Sequence, residues 1–207
     1  RQMIFLKAQA VLDAEEEKLN RRENADRNGI TAALKSLSQL QFVRDGVGAS
    51  AYVETARAHV LMGGDRLNEL KKAGNEKDIG NLKDFLEAIK ILKMAGEFLE
   101  EVERVVVKGN DKSASPLAGA MFYKGRALWG QAFVALSGGK TDQAQKLVGA
   151  AAKYYETVAV EYGESPYRTK ALNEHGKCSA FMESKFGEKI ELTQANVEAE
   201  LELKLEQ

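Results

Sequence analysis

The segment AMFYKGRA at residues 120–127 has counterparts in AYVETARA at residues 51–58 and ALNEHGKC at residues 171–178. All three start with alanine and a large apolar residue, continue through three variable residues, and end on a small, a basic and a small residue. A glycine inside a helix costs up to about 1 kcal/mol of helix propensity, which is tolerable where a neighbouring helix must approach closely. The pattern predicts three packed helices whose closest crossings lie at Ala56, Gly125 and Gly176.

The composition favours helix throughout the chain. Among the 207 residues, hydrophobic types make up 44% and charged types 29%, which is enough apolar material for a packed core. Alanine, leucine, glutamate and lysine dominate, and only two prolines occur, which argues against an all-β or proline-rich protein. We therefore predict an all-α fold.

The charge balance excludes several kinds of partner. Thirty basic and thirty-one acidic side chains give a net charge of −1, so bulk charge will not concentrate nucleic acid or an anionic membrane around the protein. Lys124 and Arg126 interrupt the longest nearly uncharged stretch, residues 113–139, and leave runs too short for a membrane helix. We expect no nucleic-acid binding and no membrane insertion.

Glycine, asparagine, aspartate and proline divide the chain into eight or nine helical pieces. We assign residues 1–207 to a single helical array with four parts. These are N-terminal helices at 1–46, a first hairpin and a long helix at 47–110, the best-matched repeats at 113–186, and an acidic tail at 187–207 that adds a weaker helix over 193–207.

Local signals predict several boundaries within this array. Gly63 and Gly64 are expected to turn the chain between a helix over 49–62 and a short helix over 66–73 that Asp65 caps. Asn81 is expected to cap the long helix. The dipeptides Ser115-Pro116 and Ser165-Pro166 each predict a serine cap followed by proline at the first helical position.

The copies at 120–127 and 171–178, with the segment YGESPY at 162–167 between them, resemble tetratricopeptide repeat (TPR) proteins of the bacterial envelope-associated type. In that family, helical hairpins of about 34 residues stack into a right-handed superhelix. The resemblance covers residues 116–186 well and residues 47–73 more loosely. Because the copies are 69 and then 51 residues apart, it implies antiparallel hairpins stacked as an irregular superhelix. It also favours the periplasm or cell envelope as the location.

No residue pattern in the chain predicts catalysis, a metal site or a cofactor. The segment GVGASA at 46–51 matches a loosened dinucleotide fingerprint, but a helix rather than a strand is predicted before it. His175 and Cys178 are three residues apart, yet Cys178 aligns with Ala58 and Ala127, so we interpret it as a small packing residue. The glutamates at 15–17 and at 100–101 are interpreted as solvated surface. We predict a non-enzymatic protein without a cofactor.

The basic residue of the octet carries the functional hypothesis. It is Arg57, Arg126 and Lys177 in the three copies, and in the family that the chain resembles this position faces an inner groove and contacts ligands. The resemblance implies a row of cations that binds the carboxylates of an acidic or C-terminal peptide. Phe122 and Trp129 are further candidates for this groove, because aromatic residues favour surfaces that are partly apolar. In the alternative interpretation, each cation pairs with a glutamate of a neighbouring helix.

Two classes of function therefore follow from the sequence. The first is an interaction scaffold that binds a protein or peptide, possibly acidic, in a concave helical groove. The second is a closed helical bundle that encloses an apolar small molecule, motivated by the uncharged run at 127–139.

Overall fold

A computed structural model describes residues 1–107 and 112–191, which form seven α-helices and one 3-10 helix and contain no strand. The helices are α1 (Gln2–Asn20), α2 (Arg27–Ser38), α3 (Gly46–Lys72), α4 (Asp84–Val106), α5 (Pro116–Ser137), α6 (Thr141–Glu161) and α7 (Arg168–Phe186), with the 3-10 helix at Glu76–Asn81. The predicted all-α class is confirmed. The helix predicted over 193–207 lies outside the described residues.

Helices that follow one another along the chain pack together. α1 contacts α2, and α3 contacts α4. From α4 to α7, each helix contacts the next one along the chain. Short connections favour antiparallel neighbours of this kind. The first helices of successive pairs also touch, because α3 contacts both α1 and α5. The three octets lie in α3, α5 and α7.

The two largest apolar clusters join these pairs, and Phe85 belongs to a third. The larger cluster links α3 to α7 around the buried rings of Phe122 and Tyr155. The smaller cluster links α1, α2 and α3 around Leu12, Ile30 and Leu37, none of which has exposed surface. Burying an aliphatic side chain of this size stabilises the fold by about 1.5–3 kcal/mol. Both clusters include side chains of α3, which therefore connects them.

The turn predicted at Gly63 and Gly64 is wrong, because α3 continues through both residues to Lys72. Gly63 has a packing reason for being glycine. A methyl group built there would lie 2.8 Å from the ring of Phe85, which belongs to α4. Helix propensity carries no information about such a tertiary contact, so a glycine pair inside a long helix has the same local sequence pattern as a turn.

The predicted cap Asp65 is buried within α3 instead. Its carboxylate accepts a 2.9 Å hydrogen bond from the amide of Ala25 and a 2.6 Å hydrogen bond from Nε of Arg27. These bonds attach the connection between α1 and α2 to α3. The residue that caps α3 is Asp45, which accepts hydrogen bonds from two amides of the first turn.

The other predicted helix starts have mixed outcomes. Ser115 caps α5 with proline directly after it, as predicted. Ser165 does not start α7, because this helix begins at Arg168. Oγ of Ser165 instead accepts a 3.3 Å hydrogen bond from the amide of Tyr167, in the turn before α7. Asn81 ends the 3-10 helix rather than capping α4.

The octet glycines differ in their surroundings. A methyl group built at Gly125 would lie 2.7 Å from the ring of Tyr155, whereas one built at Gly176 would meet no neighbouring atom within 4 Å. The predicted close crossing is therefore found at Gly125. At Gly176 the prediction is wrong, because this residue faces solvent.

We expect Gly125→Leu to lower the free energy of unfolding by about 1–3 kcal/mol, because the added side chain must displace Tyr155. Gly176→Leu is the matched control, and it should leave stability unchanged or raise it by up to about 1 kcal/mol through better helix propensity. Denaturant unfolding of the two variants measures the difference. Equal losses in both would contradict the packing described above.

Candidate functional site

Arg57 of α3 lies inside the molecule, with 5% of its side chain exposed. Its Nη2 atom lies 2.7 Å from Oδ1 of Asp13 and 2.6 Å from Oε2 of Glu16, both on α1. Its Nη1 atom lies 3.1 Å from Oε2 of Glu54 in its own helix. Because the guanidinium donates to three carboxylates, Arg57 is engaged within the protein rather than presented to solvent.

Glu16 links α1 to three other helices. Its Oε2 atom accepts a hydrogen bond from Arg57 of α3, and its Oε1 atom accepts one from Nη1 of Arg126 of α5. The ammonium of Lys170 on α7 lies 4.0 Å from Oε2. Arg57 and Arg126 thus each pair with a glutamate of another helix, as the alternative interpretation of the octet cations predicts.

The two buried glutamates respond to this environment in opposite ways. Burial alone would raise the pKa of Glu16, but Arg126, Arg57 and Lys170 outweigh it and hold the pKa below its usual value. For Glu54, burial dominates over Arg57 and the pKa is raised. Ionised Glu16 therefore adds stability that is lost as the pH falls through its folded pKa. The contribution of Glu54 is present at low pH and is lost as the pH rises through its folded pKa.

Lys177, the third cation of the octets, does not join the Glu16 cluster. It lies 2.7 Å from Oε1 of Glu174, one turn earlier in α7, and 63% of its side chain is exposed. Together with Arg126 and Lys170 it borders a cleft of about 140 Å³ between α1, α5 and α7, which we call the basic cleft. The structure thus brings Arg126 and Lys177 to one cleft and leaves Arg57 outside its lining.

The two predicted aromatic residues are separated. Phe122 is buried among three tyrosine rings, and it also borders the basic cleft. Trp129 packs edge-on against Phe133 and Phe181, with ring centroids 5.1 and 5.0 Å away. Trp129 therefore contributes to the contact between α5 and α7.

A second cavity of about 290 Å³ lies further toward the start of α1, and we call it the upper cavity. Phe5 and Gln9 of α1 border it, opposite Val53 of α3 and Tyr167, which precedes α7. Because α1 also borders the basic cleft through Glu16, both cavities open along the same helix.

The interpretation of the glutamates at 15–17 as solvated surface is wrong for the first two. Glu15 is buried and accepts a 2.6 Å hydrogen bond from the amide of Asp26, and Glu16 is buried against the arginines. Glu17 is exposed and lies 3.6 Å from Arg21. The arginine partners of Glu16 are 41 and 110 residues away along the chain, so no local pattern could reveal them.

The remaining candidates for chemistry are buried. Burial raises the pKa of Cys178 to about 12, so its thiol stays protonated at neutral pH and is a poor nucleophile. This environment fits the interpretation of Cys178 as a packing residue. Within residues 1–107 and 112–191, no group of three or more histidine, cysteine, aspartate or glutamate side chains is arranged to hold a metal ion.

The uncharged run at 127–139, which motivated the small-molecule alternative, is packed against other helices up to Ala135 and is exposed from Ser137 onward. A methyl group built at Gly130 would lie 2.3 Å from the ring of Phe85, and Ala127 and Ala132 are buried. The Phe85 ring therefore occupies the space between Gly63 of α3 and Gly130 of α5.

Comparison of the chain with models of known families, with curated proteins and with solved structures finds no match. The resemblance to TPR proteins stays a prediction, supported by the residues quoted for it. In the part of the chain that the structure describes, no helix combines the length and apolar character that a membrane span requires.

Proposed function

We propose that this chain is a non-enzymatic scaffold that binds an acidic segment of a protein or peptide at the basic cleft. We also infer that its hairpins stack as an irregular, TPR-like right-handed superhelix in a single array. Support for the binding function comes from one observation, the convergence of Arg126, Lys170 and Lys177 from two helices on a cleft open to solvent.

The charges of the basic cleft favour a carboxylate. Among the described residues, Arg126, Lys170 and Lys177 border it together with two acidic side chains, Glu16 and Glu174. The two lysines keep 56% and 63% of their side chains exposed, so their ammonium groups reach a ligand with little loss of hydration. Arg126 contributes a planar group of donors, one of which binds Glu16. These donors recognise a carboxylate through charge-assisted hydrogen bonds.

Neighbouring polar and apolar groups favour a peptide over a simple anion. Asn20 and Asn173 border the basic cleft and offer amide donors and acceptors that suit a peptide backbone. The upper cavity, bordered by Phe5 and Tyr167, offers apolar surface for a side chain of the same segment. Arg57 has a positioning role in this proposal, because its hydrogen bonds hold α1 beside the cleft.

We expect the double variant Lys170→Gln/Lys177→Gln to bind an acidic C-terminal peptide at least about tenfold more weakly than the wild type, because charge-assisted hydrogen bonds are lost. The probe is a fluorescein-labelled peptide with aspartate or glutamate in its last four positions, selected on a peptide array and measured by fluorescence anisotropy. Added salt should weaken wild-type binding. Both lysines are exposed, so the melting temperature should change little.

Lys153→Gln is the matched control, because Lys153 lies on α6, is 77% exposed and does not border the cleft. It should bind the peptide with wild-type affinity. The proposal is overturned if no acidic peptide on the array binds, or if the double variant binds as tightly as the control.

A further inference from the structure

Glu16 of α1 lies among the cations of the basic cleft, which in the proposed function bind an acidic ligand. Glu16 and Asn20 form part of the basic cleft, and Phe5 and Gln9 form part of the upper cavity. An external carboxylate that approaches Arg126 therefore meets a site at which an internal carboxylate is already bound. Moving α1 aside would free these donors and remove a wall that the two cavities share.

Apart from these ion pairs, α1 is held by Ala8 and Leu12 in the smaller apolar cluster, by the partly buried Phe5, Val11 and Leu19 packed against that cluster, and by the hydrogen bond from the Asp26 amide to Glu15. The buried residues of α1 are Ala8, Leu12, Glu15 and Glu16, so half of them are carboxylates. At its N-terminal end, Met3, Ile4 and Leu6 are exposed. In proteins most of the stability of a helix comes from tertiary packing. Because only two of the four buried residues of α1 are apolar, its docking depends on the ion pairs as well as on the apolar cluster.

The charge pattern of α1 also disfavours the free helix. Asp13 and Glu16 are three residues apart and carry like charges, which repel each other in the free helix. Docking reverses this effect, because Arg57 contacts both carboxylates. The position of α1 therefore depends on Arg126, which borders the basic cleft, and on Arg57, which becomes accessible only when α1 moves.

We propose that α1 is a displaceable internal occupant of the ligand site, held by Glu16, and that the partner is an acidic amphipathic helix with the same chemistry. The carboxylates of such a partner are spaced like Asp13 and Glu16, with an apolar residue in the position of Leu12 beside them. This proposal rests on the proposed function for the identity of the site. It differs from the proposed function in one respect, because Asn20 and Phe5 leave the site together with α1 and the partner takes their place. Displacement makes binding conditional, because only a partner that competes with Glu16 gains access to the arginines.

The first experiment needs no ligand. Hydrogen exchange of the backbone amides of residues 2–20 is compared between the wild type, Glu16→Gln and Glu17→Gln. We expect Glu16→Gln to speed exchange in α1 by about tenfold relative to α6, because charge-assisted hydrogen bonds to two arginines are weakened. Glu17→Gln changes the neighbouring glutamate, which is exposed and pairs with Arg21, and should leave the exchange unchanged.

The second experiment uses α1 itself as the probe. A fluorescein-labelled peptide with the sequence of residues 2–20 is titrated into full-length wild type and full-length Glu16→Gln. We expect the variant to bind the peptide at least about tenfold more tightly, because its own α1 competes less well. A peptide with glutamine at the position of Glu16 should lose this advantage.

Equal exchange of α1 in Glu16→Gln and Glu17→Gln, or equal peptide binding by wild type and Glu16→Gln, would overturn the displacement proposal. If Glu16→Gln does not fold, Asp13→Asn replaces it, because Asp13 is 62% exposed and contributes one of the three carboxylates at Arg57. A smaller increase of exchange in α1 is then expected, and an unchanged rate overturns the proposal. If the displacement proposal fails, the proposed function is still tested separately, by the binding of the array-selected acidic peptide to the wild type and to the lysine variants.

Discussion

Replacing Arg57 by glutamate is expected to unfold the protein, or to lower its free energy of unfolding by at least about 4 kcal/mol. Breaking a buried ion pair by removing one partner costs about 3–5 kcal/mol, because the remaining charge is left uncompensated. Here the substitution removes a guanidinium that forms ion pairs with Asp13, Glu16 and Glu54, and it adds a fourth carboxylate beside these three. Because the free energy of unfolding of a native protein is about 5–15 kcal/mol, a loss of this size removes much of the stability.

Lys177→Glu is the matched control at the corresponding position of the third octet. Lys177 is exposed and lies close to the half-buried Glu174 of its own helix, so the substitution creates one like-charge pair at the helix surface that costs about 0.5 kcal/mol. Circular dichroism and urea unfolding of both variants decide the matter. A folded Arg57→Glu protein with wild-type stability would show that the ion-pair centre does not hold the helices together.

Replacing Gly130 by leucine is expected to lower the free energy of unfolding by at least about 3 kcal/mol, toward the upper end of the cost of overpacking a core. A methyl group at this position already lies 2.3 Å from Cε1 of Phe85. The ring cannot move away from α5 easily, because it also lies against α3 at Gly63, where an added methyl group would lie 2.8 Å from the same atom. Even Gly130→Ala should therefore destabilise the protein, although alanine is the better helix former.

Two further variants isolate this contact. Gly149→Leu on α6 is the matched control, since no neighbouring atom lies within 4 Å of the added β-carbon. It should be neutral or mildly stabilising. In the background Phe85→Leu, the cost of Gly130→Ala should fall by about 1 kcal/mol or more, because the smaller side chain leaves room for the methyl group. Additive effects in this double-mutant cycle would contradict direct contact between the two residues.

Much of the fold was open to prediction from local patterns. The all-α class follows from composition, and the start of α5 follows from Ser115-Pro116. These signals work because capping and amphipathic spacing act over about four residues. Gly63 misled the same reasoning, since its partner Phe85 lies in another helix.

The candidate site was predictable only in part. The repeated octet singled out Arg57, Arg126 and Lys177 as related positions, and two of these three border the basic cleft. Lys170 was missed because it lies outside the octet. Glu16 was missed because a run of glutamates on a charged helix is usually solvated.

The sequence by itself determined the all-α class and which side chains carry charge, because helix propensity depends on neighbours close along the chain, but it did not determine every helix boundary. Only the tertiary structure decided what each charge does. Arg57, Arg126 and Lys177 occupy the same place in one repeated pattern, yet the first is buried among carboxylates, the second holds Glu16 and borders the cleft, and the third is exposed to solvent. The difference arises because α1 lies beside α3 but leaves Lys177 of α7 uncovered, and ion pairing depends on distance in space rather than on position in a repeat.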